Sequence, residues 1–92
     1  MKVLQQVGAI EFLLYLLKKE KVKVSDALRD LEVGQVALYN ALDKLIKADL
    51  ISERRGDRFP FPRFFILTDK GRRVAEHLVE IEKILVKEKG ES

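Results

Sequence analysis

Cysteine and tryptophan are absent from this chain, and histidine, methionine and asparagine each occur once. Without cysteine there is neither a disulfide framework nor a thiolate metal site, a composition at home in a reducing cytosol. The one histidine, His77, has no acidic partner at metal-ligand spacing, so no metal and no cofactor are expected. A nucleophile, a base and an orienting group cannot be assembled from what remains, and no glycine-rich phosphate loop is present. An enzyme is therefore not expected. The longest unbroken apolar run, FLLYLL at 12–17, is six residues, far short of the ~20 that a membrane-spanning helix needs. No membrane partner is expected. The first twenty residues end in KKE with no small-residue cleavage pattern, which predicts a cytoplasmic protein.

Proline is also scarce, and its two copies sit together. Residues 54–65, RRGDRFPFPRFF, hold both prolines, four of the seven arginines and four of the five phenylalanines. Net charge over the whole chain is only +3, but it is unevenly placed. Residues 51–73 carry seven basic against three acidic groups; residues 1–50 carry eight against seven, and 74–92 three against five. A central basic segment of this kind is what a polyanion-binding surface leaves in a sequence. With 47% hydrophobic and 36% charged residues, the 92-residue chain has a globular composition and the size of a single domain, 1–92. A core this modest gains from pairing with a second copy.

Along the chain, Val3, Val7, Ile10, Leu14 and Leu17 recur at helical spacing and predict a helix over 3–19, with Lys18 and Lys19 at its carboxyl end. Phe12, Leu13, Tyr15 and Leu16 make it apolar around much of its girth, which points to a subunit interface. KVKV at 21–24 alternates like a short strand. Ser25 is placed to cap a brief helix bearing Ala27, Leu28 and Leu31. Gly34 marks a turn before a helix from Gln35 to about Ala48, striped by Leu38, Ala41, Leu42 and Leu45. A strand begins at Leu50, Gly56 and Asp57 suit a turn, and FFIL at 64–67 is a second strand, giving a hairpin over 50–67. Thr68 caps a final helix over 69–89, on which Val74, Leu78, Ile81 and Leu85 form a stripe.

This order of elements resembles a winged helix-turn-helix domain. The resemblance rests on SDALRDLEVGQVALYNALDKLIKADLI at 25–51 and FFILTDKG at 64–71. The second stretch is similar to the strand-to-helix junction of MarR- and PadR-type transcriptional regulators, aromatic-x-Leu-Thr-x-x-Gly, here Phe65, Leu67, Thr68 and Gly71. Asp49 stands where many members have glycine in a left-handed conformation, one that Asp tolerates better than most side chains. The resemblance implies an α+β, mostly helical fold with a three-helix core, the helix-turn-helix at 25–48, a two-stranded wing and a long carboxy-terminal helix. It also implies sequence-specific binding to double-stranded DNA by a small, dimeric regulator.

On that reading Gln35, Val36, Tyr39 and Asn40 face base edges in the major groove. Amides can pair with adenine, and a valine packs on a thymine methyl. Ser25, Lys44, Lys47, Arg54, Arg55, Arg58 and Arg63 meet the phosphate backbone. Asp43, on the same helix, repels phosphate. Strand alternation sends Phe65 and Leu67 to the core and leaves Phe64 and Ile66 on the other face. For Phe59 and Phe61 a core or dimer role is preferred to stacking on bases. Leu13, Leu16, Leu78, Ile81 and Leu85 are the expected homodimer interface. The alternative is a winged helix that binds protein within a larger complex, which the basic wing disfavours.

Overall fold

A single glycine divides the first apolar stretch. Gly8 adopts φ 87°, and the expected helix over 3–19 is two helices, α1 (Lys2–Gln5) and α2 (Ala9–Lys19). A side chain at Gly8 would be strained in that left-handed conformation, and its Cβ would stand 3.0 Å from Val33 Cγ1. The turn sets Gly8 against Val33, in the loop that precedes the fourth helix. The computed structural model describes residues 2–58 and 63–91, with side chains as far as Val86. Phe59 and Phe61 lie outside the described residues.

After α2 come β1 (Lys21–Lys23), α3 (Val24–Asp30), α4 (Gln35–Lys47), β2 (Ile51–Arg55), β3 (Arg63–Leu67) and α5 (Asp69–Glu91). The helix-turn-helix segment starts one residue before the expected boundary, and its cap differs. Lys23 is the N-cap residue of α3, Ser25 lies inside the first turn, and the Asp26 carboxylate accepts the Lys23 backbone N–H at 3.5 Å. The expected two-stranded wing is part of a three-stranded antiparallel sheet in the order β1-β3-β2. KVK pairs with the second wing strand in the register Lys21 with Ile66, Val22 with Phe65 and Lys23 with Phe64. A three-residue strand is not stable alone; it forms because Val22 fills the buried face of a sheet already present.

One core unites helices and sheet. Phe12, Leu13 and Leu16 of α2 are fully buried with Leu38, Ala41 and Leu45 of α4, Ala27 of α3, Phe65 of β3 and Ala75 of α5. Leu13 and Leu16 therefore belong to this protomer's own core and are not a surface for a second copy. The reason is that α2 is packed on several sides, chiefly by α5 and also by the inner face of the sheet, α1 and α4, so the girth read as excess apolar surface is consumed within the domain. Phe12 meets Phe65 edge-on, with ring centroids 6.1 Å apart and planes at 81°. Such a pair adds about 0.5–1.5 kcal/mol beyond the burial of the two rings. No polar or charged residue is buried among those described.

The junction between helix-turn-helix and wing is tied by one threonine. Asp49 adopts φ 61°, ending α4 in the left-handed conformation anticipated for it, and Leu50 N–H returns to Leu45 carbonyl at 3.0 Å. Thr68 Oγ1 donates to the Asp49 carbonyl at 2.6 Å and accepts the Gly71 N–H at 2.9 Å. Thr68 thus caps α5 and fastens it to the end of α4. Lys70 Nζ, donating to the Ala48 carbonyl at 3.0 Å, takes a further carbonyl left open by the ending helix.

Candidate nucleic-acid interface

Burying Leu38, Ala41, Leu42 and Leu45 fixes the rotation of α4 about its axis and turns the other side outward. Gln35, Val36, Tyr39 and Asn40 are all exposed there, Val36 by 75%. So large an exposed fraction on a valine contributes little to folding; the methyls are free for a contact outside the protomer. Gln35 and Val36 occupy the first turn, with Tyr39 and Asn40 one turn later, so the four share the amino-terminal half of the helix. Lys44 and Lys47 are exposed further on, and Lys47 Nζ pairs with Asp43 at 3.0 Å. That i,i+4 pair offsets the carboxylate that otherwise opposes phosphate on this helix.

The wing arginines divide by strand alternation. Register places Ile51, Glu53 and Arg55 opposite Leu67, Phe65 and Arg63, on the face that carries the core. Arg54 lies opposite Phe64 on the other face. Arg63 donates to Glu53 at 2.7 Å, and Arg55 stands 4.0 Å from the same carboxylate. The hydrogen bond from Arg63 holds the Glu53 carboxyl below the usual range, and Arg55 adds to the effect. The Arg63 guanidinium is pushed up in turn, first by Glu53 and to a smaller extent by Tyr39. Arg58 is exposed in the bend after β2.

Ser25 is exposed as well, but it does not command a free helix terminus. The Asp26 carboxylate faces that end of α3, accepting from Lys23 and lying 3.6 Å from Arg29. The site expected for a phosphate is answered by this chain's own carboxylate. A second cluster joins α2 to α3: Tyr15 hydroxyl donates to the Asp30 carboxylate, which also accepts from Arg29 Nε at 2.9 Å. The Arg29 and Tyr15 hydrogen bonds bring the Asp30 carboxyl down to about 2, and bonding to Asp30 pushes the Tyr15 phenol up to about 12.

No protein-family model matches the sequence. No curated protein matches it either. Solved structures do match. A transcriptional regulator homologue from Pyrococcus horikoshii OT3 superposes with TM-score 0.78 at 16% identity, over 95% of this chain and 87% of that one. A protein assigned to the MarR family of transcriptional regulators from Porphyromonas gingivalis W83 gives TM-score 0.75 at 16% identity, over 94% and 84% of the two chains. The adhesin competence repressor AdcR from Streptococcus pyogenes gives 0.76 at 19% identity, over 92% of this chain and 63% of that one. The fold is a winged helix-turn-helix. These neighbours are named as transcriptional regulators or, for AdcR, as a repressor.

In winged-helix terms α3 and α4 are the helix-turn-helix pair, and β2 and β3 are the wing. Helical spacing alone groups the outward residues of α4, but it does not bring Lys21 and Lys23 beside the wing strand β3, where they lie. Their alternation in KVKV was visible; what hid them was the pairing of β1 with β3, across more than forty positions of chain.

Proposed function

We propose that this chain is a DNA-binding transcriptional regulator that reads duplex sequence with α4 and grips the backbone with its wing. The observation that carries this reading is the outward set Gln35, Val36, Tyr39 and Asn40 on the recognition helix, beside wing arginines. In the major groove the two amides offer paired hydrogen bonds to adenine, Val36 offers methyls to thymine, and Tyr39 reaches a base edge or a phosphate. Lys44, Lys47, Arg54, Arg55, Arg58 and Arg63 supply backbone contacts, with Arg63 partly engaged by Glu53. Ser25 keeps at most a hydroxyl contact. The regulator acts as a homodimer through α5, so its site is palindromic with half-sites about 34 Å apart.

Selection of bound duplexes from a random pool, followed by anisotropy titrations at several salt concentrations, tests the reading. Affinity should fall steeply with salt. Arg55→Ala should weaken all sequences alike and lower the log–log salt slope by about 0.9 for each phosphate left without its cation. Gln35→Ala and Asn40→Ala should change which sequences are preferred. A flat salt response, with no sequence enriched, would favour the alternative of a protein-binding winged helix.

A further inference from the structure

The sheet has two faces, and only one of them belongs to the core. Cross-strand partners in an antiparallel sheet project to the same side. Val22, Phe65 and Ile51 therefore mark the inner face, and all three are buried. The outer face is read from the remaining pairs: Lys23, Phe64 and Arg54 form one row across the three strands, and Lys21, Ile66 and Ser52 form the next. Both lysines and Arg54 are exposed, while Phe64, Ile66 and Ser52 are half-exposed.

The charge of the two faces differs. On the inner side the wing's Arg55 and Arg63 share the Glu53 carboxylate. Among the paired residues of the outer side there are three cations and no carboxylate. The ring of Phe64 organises them: Lys21 Nζ lies 4.5 Å and Lys23 Nζ 5.9 Å from its centroid. A cation held over an aromatic face loses less side-chain freedom when it meets an anion than one swinging in solvent.

This face is also continuous with the proposed DNA interface. It carries Arg54, a wing cation that alternation turns to the side opposite Arg55 and Arg63, and it meets the helix-turn-helix at Lys23, the cap residue of α3. From these observations we propose that the outer face of the sheet, through Lys21, Lys23 and Arg54, binds the phosphate backbone of duplex DNA flanking the sequence that α4 reads. The inference rests on the DNA-binding reading and extends it. The flank contributes affinity and salt dependence with no sequence preference, because phosphate contacts carry none.

Two labelled duplexes test it: one limited to the selected site, the other adding about one helical turn (roughly 10.5 base pairs) of arbitrary sequence on each side. The wild-type chain should bind the longer duplex more tightly and with a steeper salt slope. Lys21→Gln with Lys23→Gln should leave binding to the short duplex unchanged and remove the gain from lengthening. The slope on the long duplex should fall by about two, at about 0.9 per phosphate. Lys21→Arg with Lys23→Arg should keep the gain, which separates charge from any effect on folding. If the glutamine variant keeps the full gain, the flank proposal is overturned while the recognition reading stands. If the wild type binds neither duplex, both fall. Loss of binding to oligothymidine, with the duplex gain retained, would overturn the proposal in favour of a single-strand platform.

Discussion

Gly71 shows what one missing side chain can hold together. A Cβ at this position would stand 1.8 Å from the Leu50 carbonyl oxygen and 2.7 Å from its carbon. Those are backbone atoms at the start of the wing, hydrogen-bonded to Thr68 N–H at 3.1 Å, and they cannot turn aside as a side chain would. Gly71→Ala must therefore separate α5 from the α4–β2 junction, undoing the Thr68 bridge as well. We expect a loss of about 3 kcal/mol in urea unfolding, at the upper end of what overpacking costs. Gly34→Ala provides the contrast. Its φ is −65° and nothing lies within 4 Å of a built Cβ, so its stability should change by less than about 0.5 kcal/mol. At this scale the sequence was informative where a motif named the residue: Thr68 as cap, Asp49 as left-handed terminus. It was misleading where the signal was generic. Ser25 resembles a cap in any sequence, but Asp26 beside it reaches the Lys23 N–H, and the helix starts earlier.

At the scale of elements, a side-chain pin joins α2 to α3, the first helix of the helix-turn-helix. Tyr15, Asp30 and Arg29 form it, and its two titrating groups act in opposite pH ranges. Asp30, brought down to about 2, adds stability that is complete above the ordinary carboxyl range near 4 and is lost as pH falls towards 2. Tyr15, pushed up to about 12, adds stability that is complete below the ordinary phenol value near 10 and is lost as pH rises towards 12. Tyr15→Phe should thus abolish the alkaline loss, lower stability at neutral pH, and leave much of the acid loss, because Arg29 is the larger cause of the Asp30 shift. Asp30→Asn should flatten both limbs. Denaturant midpoints measured from pH 2 to pH 12 on the three proteins check this ordering. The helices and strands themselves were largely legible from apolar spacing, since Leu38, Ala41, Leu42 and Leu45 allow only one buried face. The break at Gly8 was not, because the apolar spacing runs unbroken across it, and the neighbour that leaves no room for a side chain there is Val33, twenty-five positions away. The short strand at KVKV was legible from its alternation, but its pairing was not, because its partner β3 lies beyond the entire helix-turn-helix.

At the scale of the molecule, α5 is the part the domain does not use up. The protein measures 52 × 26 × 23 Å, and a helix of 23 residues at about 1.5 Å per residue accounts for most of the long axis. Its first half is committed: Ala75 is buried, and Val74 and Leu78 pack against the core. Beyond Leu78 the apolar stripe continues without a floor. Ile81, Ile84 and Leu85 are 52%, 58% and 58% exposed, and spacings of three and four place them on one face. Of the five residues expected at a dimer interface, Leu13 and Leu16 are excluded by burial, Leu78 is half-used by the core, and Ile81 and Leu85 remain available. The sequence showed that there was apolar surface to spare but could not show which helix kept it, because that depends on how the first half of α5 and the sheet together cover α2. A second copy of α5 offers the matching stripe. Leu85→Glu should then raise the dimer dissociation constant by at least about 100-fold in sedimentation equilibrium, since an unpaired carboxylate in the seam costs about 3 kcal/mol or more. Leu85→Met should stay dimeric. Because Leu85 is more than half exposed, neither change should move the unfolding midpoint of the isolated protomer by much. The glutamate variant should lose far more affinity for a palindromic duplex than for a half-site, as only the dimer places two copies of α4 one helical turn apart. A wild-type chain that sediments as a monomer at micromolar concentration would leave the stripe on α5 for a different partner.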